Sequence, residues 1–301
     1  MTTPAASVPA STLAFGHSRM ARLAAAALRA ADQIAPDFAA RLAVNLFFTP
    51  LPTKLAARRP LPPAWQAQPL HTGEEGAVLL RYRPVLQAPR QRVLLVHGWA
   101  GDALQMRPLA EAVAAAGYEP VLLDLPAHGR SPGWRCTMPQ IVRSLFAAQA
   151  CLGPFPAIIA HSMGSVACLH AMAAGLGAPR LVALAPSSPP ESVLRWFGEA
   201  FHLPQPLLAR MRSRIEAQEG MKLDQFEPAW LGSRVRAPVL LMHDRADRMA
   251  PFANSEALAR ALPDARLHAT EGLTHRRILA DPQAIACAVA HLLPAPGTRA
   301  P

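Results

Sequence analysis

Short apolar segments alternate with helical segments along most of this chain, and this alternation limits the possible folds more than any other feature. The segment RVLLV at 92–96 is apolar almost throughout, as strands buried on both faces of a sheet are. The helical segments between such strands are long enough to connect neighbouring parallel strands. With 301 residues, of which 51% are hydrophobic, the chain can bury a sheet of this kind. The pattern predicts an α/β fold with a mostly parallel, doubly wound sheet.

The predicted elements follow one another along the second and larger part of the chain. We expect strands at 77–83, 92–96, 119–125, 157–161, 180–185, 238–243 and 266–269. We expect helices at 107–116, 138–152, 163–174, 254–262 and 282–293. One stretch of about fifty residues, 187–236, is mostly helical in pattern and too long for an ordinary connection. We interpret it as a helical insertion and call it the lid segment.

The first part of the chain, 1–70, is predicted to form a helical extension and an arm, followed by the main domain at 71–301. Helices are expected at 19–34 and 37–48, and the simplest interpretation is that they pack on the main domain. The alternative is that the second of them lies on a membrane surface. Residues 49–70 are rich in proline, which predicts an extended arm with few backbone donors.

Composition and charge bear on the partners and the compartment. The chain has 30 basic and 20 acidic residues, a net charge of +10, but its arginines are scattered instead of clustered, which argues against a nucleic-acid partner. The four cysteines form no CxxC pair and are predicted to be buried free thiols, as in a reducing compartment. The uncharged run at 144–179 is interrupted by Gly153 and two prolines, so no transmembrane segment is predicted. We therefore expect a cytoplasmic protein, with peripheral membrane contact as an open alternative and no indication of its oligomeric state.

The first motif with chemical meaning is AHSMGS at 160–165, where a predicted strand meets a predicted helix. A serine in such a turn, with small residues two positions before and after it, is typical of a nucleophile elbow. Ala160 and Gly164 are the small residues around Ser162, although the usual motif has glycine at the first position. The alternative is that Ser162 only caps the following helix, a position where serine is common.

A second motif, His97-Gly98-Trp99, directly follows the strand at 92–96. Stabilisation of an oxyanion requires backbone N–H groups that point at one place. Gly98 allows a tight turn, after which the N–H of Trp99 could join the N–H of Met163. The alternative is an ordinary turn at the end of a strand.

An acid and a histidine follow two later strands. Asp244 and Asp247 are the candidate acids after the strand at 238–243, and His275 follows the next strand. The order serine, aspartate, histidine is one of three that serine enzymes use. All of these residues lie just past strands, at the edge where sites form in parallel sheets.

The chain resembles the α/β-hydrolase superfamily, in particular its serine esterase and lysophospholipase-like group. The resemblance lies in five stretches, in the expected order: VLLVHGW at 93–99, LLDLPAHGRS at 122–131, IIAHSMGS at 158–165, VLLMHDRADRMAP at 239–251 and EGLTHRRIL at 271–279. In the family the catalytic acid falls three positions after a glycine, which Asp244 replaces here, so the comparison selects Asp247. The resemblance implies the α/β-hydrolase fold and a triad of Ser162, His275 and Asp247.

The resemblance also implies a reaction, the hydrolysis of carboxylic esters through an acyl-enzyme intermediate, with thioesters and lysolipids as further candidate substrates. Two alternatives stay open, namely an acyltransferase or cofactor-free haloperoxidase with the same triad, and a non-catalytic scaffold that binds a small ligand. No cofactor or metal is expected. His97, His128 and His161 come from separate strand ends without the spacing of metal ligands.

The lid segment contains the clues to the substrate. It is rich in large apolar residues, and we predict that Trp196, Phe197 and Phe201 line a pocket above Ser162. The expected partner is then a small hydrophobic ester. The alternative is that these aromatic residues form a small core of the lid segment itself.

Overall fold

The computed structural model describes residues 19–51, 54–57, 59–73, 76–82 and 91–292. Residues 1–18, which were predicted to be frayed, lie outside the described residues. The strands are β1 Trp65–Leu70, β2 Ala77–Tyr82, β3 Arg92–Val96, β4 Glu119–Asp124, β5 Ile158–His161, β6 Leu181–Leu184, β7 Val239–Asp244 and β8 Ala265–Thr270. The helices are α1 Arg19–Ile34, α2 Pro36–Phe47, α3 Lys54–Ala57, α4 Arg107–Ala115, α5 Met138–Leu152, α6 Met163–Ala173, α7 Pro190–Ala200, α8 Gln205–Glu219, α9 Pro228–Gly232, α10 Phe252–Ala261, α11 Thr274–Arg277 and α12 Pro282–Leu292.

The strands form one sheet in the order β1-β2-β4-β3-β5-β6-β7-β8. Strands β3 to β8 run parallel to one another, whereas β2 pairs antiparallel with β4 and β1 pairs antiparallel with β2. Because the parallel strands share one direction, their carboxyl ends meet at one edge of the sheet. The predicted mostly parallel sheet is confirmed.

Both faces of the sheet are covered, which explains why the central strands are continuously apolar. In β3, Leu94 and Val96 belong to the core on one face, and Val93 and Leu95 belong to the core on the other. Helices α5, α6 and α10 contribute to the first core, while α4 and α12 contribute to the second. The sheet is therefore doubly wound.

The sheet begins earlier than the sequence predicted. β1 lies within the segment 49–70, which was predicted to be an extended arm with few backbone donors, and it pairs along its whole length with β2. Pro69 is tolerated there because β1 is an edge strand, where one row of N–H groups has no strand to bond. The proline-rich composition of the segment concealed a strand that needs few donors.

The segment between β6 and β7 holds α7, α8 and α9. Its Trp230 packs against the core of the sheet, whereas Phe197 and Phe201 do not. A third core joins α7 and α8 to the N-terminal helices α1 and α2, which form where the sequence predicted two helices. The pairing of Arg210 with Asp32 and a hydrogen bond of 2.9 Å from Arg29 Nη1 to the carbonyl oxygen of Phe201 add polar links. The N-terminal helices therefore pack on the lid segment.

The cysteines and the helix lengths bear on two further expectations. All four cysteines are free, but only Cys136 and Cys168 are buried, and Cys151 is exposed, contrary to the prediction of four buried thiols. Cys151 lies near the end of α5, on the side of that helix that faces solvent. In the part of the chain that the structure describes, every helix is too short or too polar to cross a membrane.

Candidate active site

Ser162 lies between β5 and α6, at the carboxyl edge of the sheet. Its backbone has φ 54° and ψ −124°, a conformation that a residue with a side chain rarely adopts outside sharp functional turns. The backbone N–H of Ser162 donates to the carbonyl oxygen of Leu184 in the neighbouring strand at 2.9 Å. This bond fixes the serine, which is 8% exposed, against the end of the sheet.

The turn around Ser162 depends on small neighbours. A Cβ atom on Gly164 would lie 2.5 Å from the carbonyl oxygen of His97, so only glycine fits at this position. Ala160 replaces the other expected glycine without conflict, because it is the third residue of β5 and its methyl group is buried in the core. The hydroxyl group of Ser165 donates to the carbonyl oxygen of Ala160 at 2.9 Å and braces the turn.

His275 lies in the short helix α11 and connects the serine to an acid. Its Nε2 atom is 3.0 Å from Ser162 Oγ, and its Nδ1 atom is 2.7 Å from Asp247 Oδ2. Because a carboxylate only accepts, Nδ1 carries the proton of the neutral imidazole and Nε2 is free to accept from the serine hydroxyl. The structure thus brings together the three residues predicted as the triad.

Asp247 is held in its ionised form by four donors. Its Oδ1 atom accepts from the backbone N–H groups of Met249 at 2.7 Å and Ala250 at 3.0 Å. Its Oδ2 atom accepts from His275 and lies 3.2 Å from Nε2 of His243. Burial alone would raise the pKa of Asp247, but the hydrogen bonds from His243 and His275 outweigh it and keep this pKa below its ordinary value.

His243 is a buried residue of β7 that the sequence analysis did not assign to the site. Its Nδ1 atom is 2.7 Å from Ser255 Oγ, and its Nε2 atom is 3.0 Å from the carbonyl oxygen of Ala250. The carbonyl can only accept, so Nε2 carries the proton and points it between this carbonyl and Asp247. The sequence does contain a signal that could have identified His243. It is a polar side chain near the end of an apolar strand, four residues before Asp247.

His161 supports His275 from the side of the serine. Its Nε2 atom donates to the backbone carbonyl oxygen of His275 at 2.9 Å, and the two rings lie 4.7 Å apart. Burial, followed by the neighbouring His275, lowers the pKa of His161 to about 3. His161 is therefore a neutral donor at neutral pH.

The turn at 97–100, predicted to supply an oxyanion donor, lies directly against the serine. A Cβ atom on Gly98 would be 2.7 Å from Ser162 Cβ and 3.3 Å from Ser162 Oγ. Trp99 follows this glycine and Met163 follows the serine in the sequence, and the oxyanion role of their N–H groups stays a prediction. Both are partly buried.

Two neutral histidines hold this turn from behind. His97 Nδ1 donates to the carbonyl oxygen of Gly98 at 2.7 Å, while its Nε2 accepts from the backbone N–H of Leu125 at 3.1 Å. His128 Nε2 accepts from the backbone N–H of Ala100 at 3.0 Å. Burial lowers the pKa of His97 and lowers the pKa of His128 to about 3. These histidines make structural contacts, and among the described residues no group of histidines, cysteines and acids is placed to hold a metal ion.

The predicted pocket residues lie elsewhere. Phe197 and Phe201 are buried in the core between the lid segment and the N-terminal helices, stacked with ring centroids 4.4 Å apart. Phe197 also packs edge-on against Phe47 of α2 at 5.4 Å. The prediction that these two residues line a substrate pocket is wrong, because the N-terminal helices cover the apolar face that was expected to cover the serine. Trp196, on the neighbouring face of α7, is half-buried.

A cavity of about 160 Å³, which we call the lid cavity, lies beneath the lid segment. Its walls combine apolar side chains with polar ones, including Val166, Phe226, Leu258, Ser187 and Asn254. Val166 is one helical turn beyond Ser162 on α6. Within the described chain, the walls of the lid cavity include none of the three aromatic residues predicted for the pocket.

Comparisons with known proteins agree with this architecture. The family model described as alpha/beta hydrolase fold matches residues 91–237. The esterase Pf2001 of Pyrococcus furiosus superposes with a TM-score of 0.61 at 16% identity, over 78% of this chain and 96% of that one. Est1E from Butyrivibrio proteoclasticus gives a TM-score of 0.57 at 15% identity, over 75% and 95%. A predicted CIB-like hydrolase from Thermoplasma acidophilum gives 0.55 at 17% identity, over 76% and 98%.

A comparison with curated protein sequences finds no match. The solved structures are distant in sequence, so their likeness concerns the fold. The chain therefore has the α/β-hydrolase fold, and the family model matches its central strands. The resemblance noted in the sequence is confirmed at this level.

Proposed function

We propose that this protein is a serine hydrolase that cleaves carboxylic esters through an acyl-enzyme intermediate. The hydrogen-bonded series from Ser162 through His275 to Asp247 is the observation that carries the proposal. The positive φ of the serine supports it further, because backbone strain of this kind is typical of the sharp turn that carries a nucleophilic serine. Thioesters and lysolipids fall within the same proposal, since each presents a carbonyl carbon to the serine.

In the acylation step, Ser162 Oγ forms a bond to the carbonyl carbon while its proton moves to His275 Nε2. The carbonyl electron pair moves to the oxygen, and the N–H groups of Trp99 and Met163 stabilise the resulting oxyanion. When the oxyanion collapses, the bond to the leaving oxygen breaks, and that oxygen takes the proton from His275. Asp247 keeps the imidazole in the required tautomer and stabilises its protonated form.

Deacylation repeats the sequence with water. The water oxygen bonds to the acyl carbon as His275 Nε2 takes one of its protons. The second oxyanion collapses, the bond to Ser162 Oγ breaks, and the proton returns to the serine. The products are a carboxylic acid and the regenerated hydroxyl group, with no cofactor consumed.

The lid cavity supports a preference for short acyl groups. A cavity of about 150 Å³ in an apolar core accommodates a molecule the size of benzene. The lid cavity is of similar volume, and one of its lining residues, Val166, is one helical turn along α6 from Ser162. With p-nitrophenyl esters from acetate to palmitate, we expect kcat/KM to rise over the first few carbons and then to fall. An optimum at palmitate would contradict this assignment of the acyl site.

The catalytic proposal is tested by labelling with an organophosphonate probe and by ester hydrolysis. We expect the probe to modify Ser162, and Ser162→Ala to abolish labelling and to lower kcat by a factor on the order of 10⁶. Ser144→Ala is the matched control, because Ser144 is a buried serine of α5 whose hydroxyl bonds to the carbonyl oxygen of Gln140. A folded wild-type protein that is not labelled would favour a non-catalytic scaffold and end the proposal.

A further inference from the structure

Asp244 occupies the position where the resembling family has glycine, and its side chain is fully buried. It is the last residue of β7, three residues before Asp247. A buried carboxylate without partners is strongly unfavourable, so its contacts indicate its role. Those contacts all point toward the loop that carries the catalytic histidine or toward the loop that carries the acid.

The carboxylate of Asp244 bridges two loops at the edge of the sheet. Its Oδ2 atom accepts from the backbone N–H of Leu273 at 2.8 Å and from the hydroxyl group of Thr270 at 2.9 Å. Its Oδ1 atom accepts from the backbone N–H of Ala246 at 3.0 Å. Leu273 lies two residues before His275, so this contact fixes the backbone from which the imidazole extends.

The loop that Asp244 holds is strained. Gly272 has φ 81° and Thr274 has φ 60°, and a positive φ is a genuine outlier for a β-branched residue such as threonine. Strained backbone of this kind persists only where surrounding contacts enforce it. Although burial acts to raise the pKa of Asp244, hydrogen bonds from Leu273, Thr270, Thr274 and Ala246 lower it, so the group is an anionic acceptor for this backbone.

We propose that Asp244 is a positioning residue that holds the strained 271–275 loop. It thereby keeps His275 within hydrogen-bonding distance of Asp247 and Ser162. The consequence for catalysis rests on the proposed function, whereas the consequence for the position of the imidazole does not. Asp244 itself touches none of the reacting atoms. Its side chain acts on the backbone of the loop, and its carbonyl oxygen accepts from the backbone N–H of Asp247 at 3.1 Å.

The first test observes the imidazole without turnover. In wild-type protein, the proton on His275 Nδ1 that is shared with Asp247 should give a downfield ¹H resonance, assigned by its absence in His275→Gln. Asp244→Ala should weaken or shift this resonance and should speed hydrogen exchange at the backbone N–H of Leu273. A wild-type resonance and wild-type exchange in a folded Asp244→Ala would overturn the proposal whether or not the protein hydrolyses esters.

The second test separates positioning from simple stabilisation. A displacement of about 1 Å can cost about 100-fold in rate, so we expect Asp244→Ala to lower kcat by up to this factor with little change in KM. Asp244→Asn should give an intermediate loss, because its single oxygen can serve the loop while its NH₂ group faces another donor. If Asp244→Ala has a lower melting temperature but an unchanged kcat at temperatures well below its unfolding transition, Asp244 only stabilises the fold and the proposal is wrong.

Thr270→Val is the matched control, since it removes a hydrogen bond to the same carboxylate but leaves the bond to Leu273. Its kcat and its His275 resonance should stay close to wild type. An equal loss in Thr270→Val and Asp244→Ala would contradict a specific role for the loop contact. If wild-type protein is not labelled at Ser162, the proposed function fails, while the resonance and the exchange rate still decide whether Asp244 positions the imidazole.

Discussion

Acidification from pH 7 to pH 5 is expected to destabilise this fold through its buried histidines. His128 and His161 are 1% and 2% exposed, and burial is the main cause that lowers the pKa of each from 6.5 to about 3. In the folded protein both imidazoles therefore stay neutral at pH 5. Unfolding exposes them to water, where their pKa returns to its ordinary value and they take up protons.

The sign and size of the effect follow from proton linkage. Between pH 6.5 and pH 3 the unfolded state binds more protons at these residues than the folded state, so the free energy of unfolding falls as the pH falls. At about 1.4 kcal/mol per pH unit and proton, each histidine removes about 2 kcal/mol between pH 7 and pH 5. The two together remove about 4 kcal/mol, a large part of the roughly 5–15 kcal/mol that stabilises a typical protein.

Urea unfolding at pH 7, 6 and 5 measures this dependence. Between pH 7 and pH 5, the free energy of unfolding of His128→Gln should fall by about 2 kcal/mol less than that of the wild type. Glutamine does not titrate, and its oxygen can still accept from the N–H of Ala100. His268→Gln is the control, because His268 on β8 is already exposed to solvent in the folded protein. An identical loss in wild type and His128→Gln would refute the linkage argument.

Three further changes test other parts of the site. Asp247→Asn should lower kcat by roughly 10⁴, as in the protease example where the imidazole loses its orienting carboxylate, and initial rates that fall less than tenfold would reject Asp247 as the acid. Phe197→Ala should cost about 3–5 kcal/mol of stability in thermal unfolding and leave the acyl-length profile unchanged. Trp196→Ala, on the half-buried face of α7, is the variant for comparison. A changed acyl-length profile in Phe197→Ala would indicate that Phe197 lines the substrate pocket. Gly164→Ala should lower the melting temperature and the rate of phosphonate labelling, because its Cβ would lie 2.5 Å from a carbonyl oxygen. Gly177→Ala, whose Cβ would have no neighbour nearer than 3.6 Å, should change neither quantity.

The parts of the fold that were predictable are those in which burial leaves a mark on the sequence. The apolar segment RVLLV predicts β3 with its observed bounds, because a central parallel strand is buried on both faces. β1 was not predicted, because an edge strand tolerates proline and polar residues and so resembles an extended arm. The other edge strand, β8, was predicted, so it is the proline-rich composition of β1 that accounts for the difference.

The same reasoning explains which site residues were found. Ser162, Asp247 and His275 follow strands in a characteristic order, so topology alone predicts that they meet. The role of His243 depends on a contact between a strand residue and a loop that bends back toward it, and spacing alone does not determine that bend. The role of Asp244 depends in the same way on the path of the loop after β8.

The lid segment shows why an apolar pattern does not identify its own partner. The large apolar residues of α7 and α8 predicted a buried face, and the structure buries it, but against α1 and α2 instead of above the serine. Fully burying a side chain such as Phe197, Leu207 or Met211 contributes about 1.5–3 kcal/mol. A motion that lifted the lid segment away from the N-terminal helices would lose several such contributions together with the Arg210–Asp32 ion pair. The packing of the lid segment on the N-terminal helices therefore opposes its separation from them.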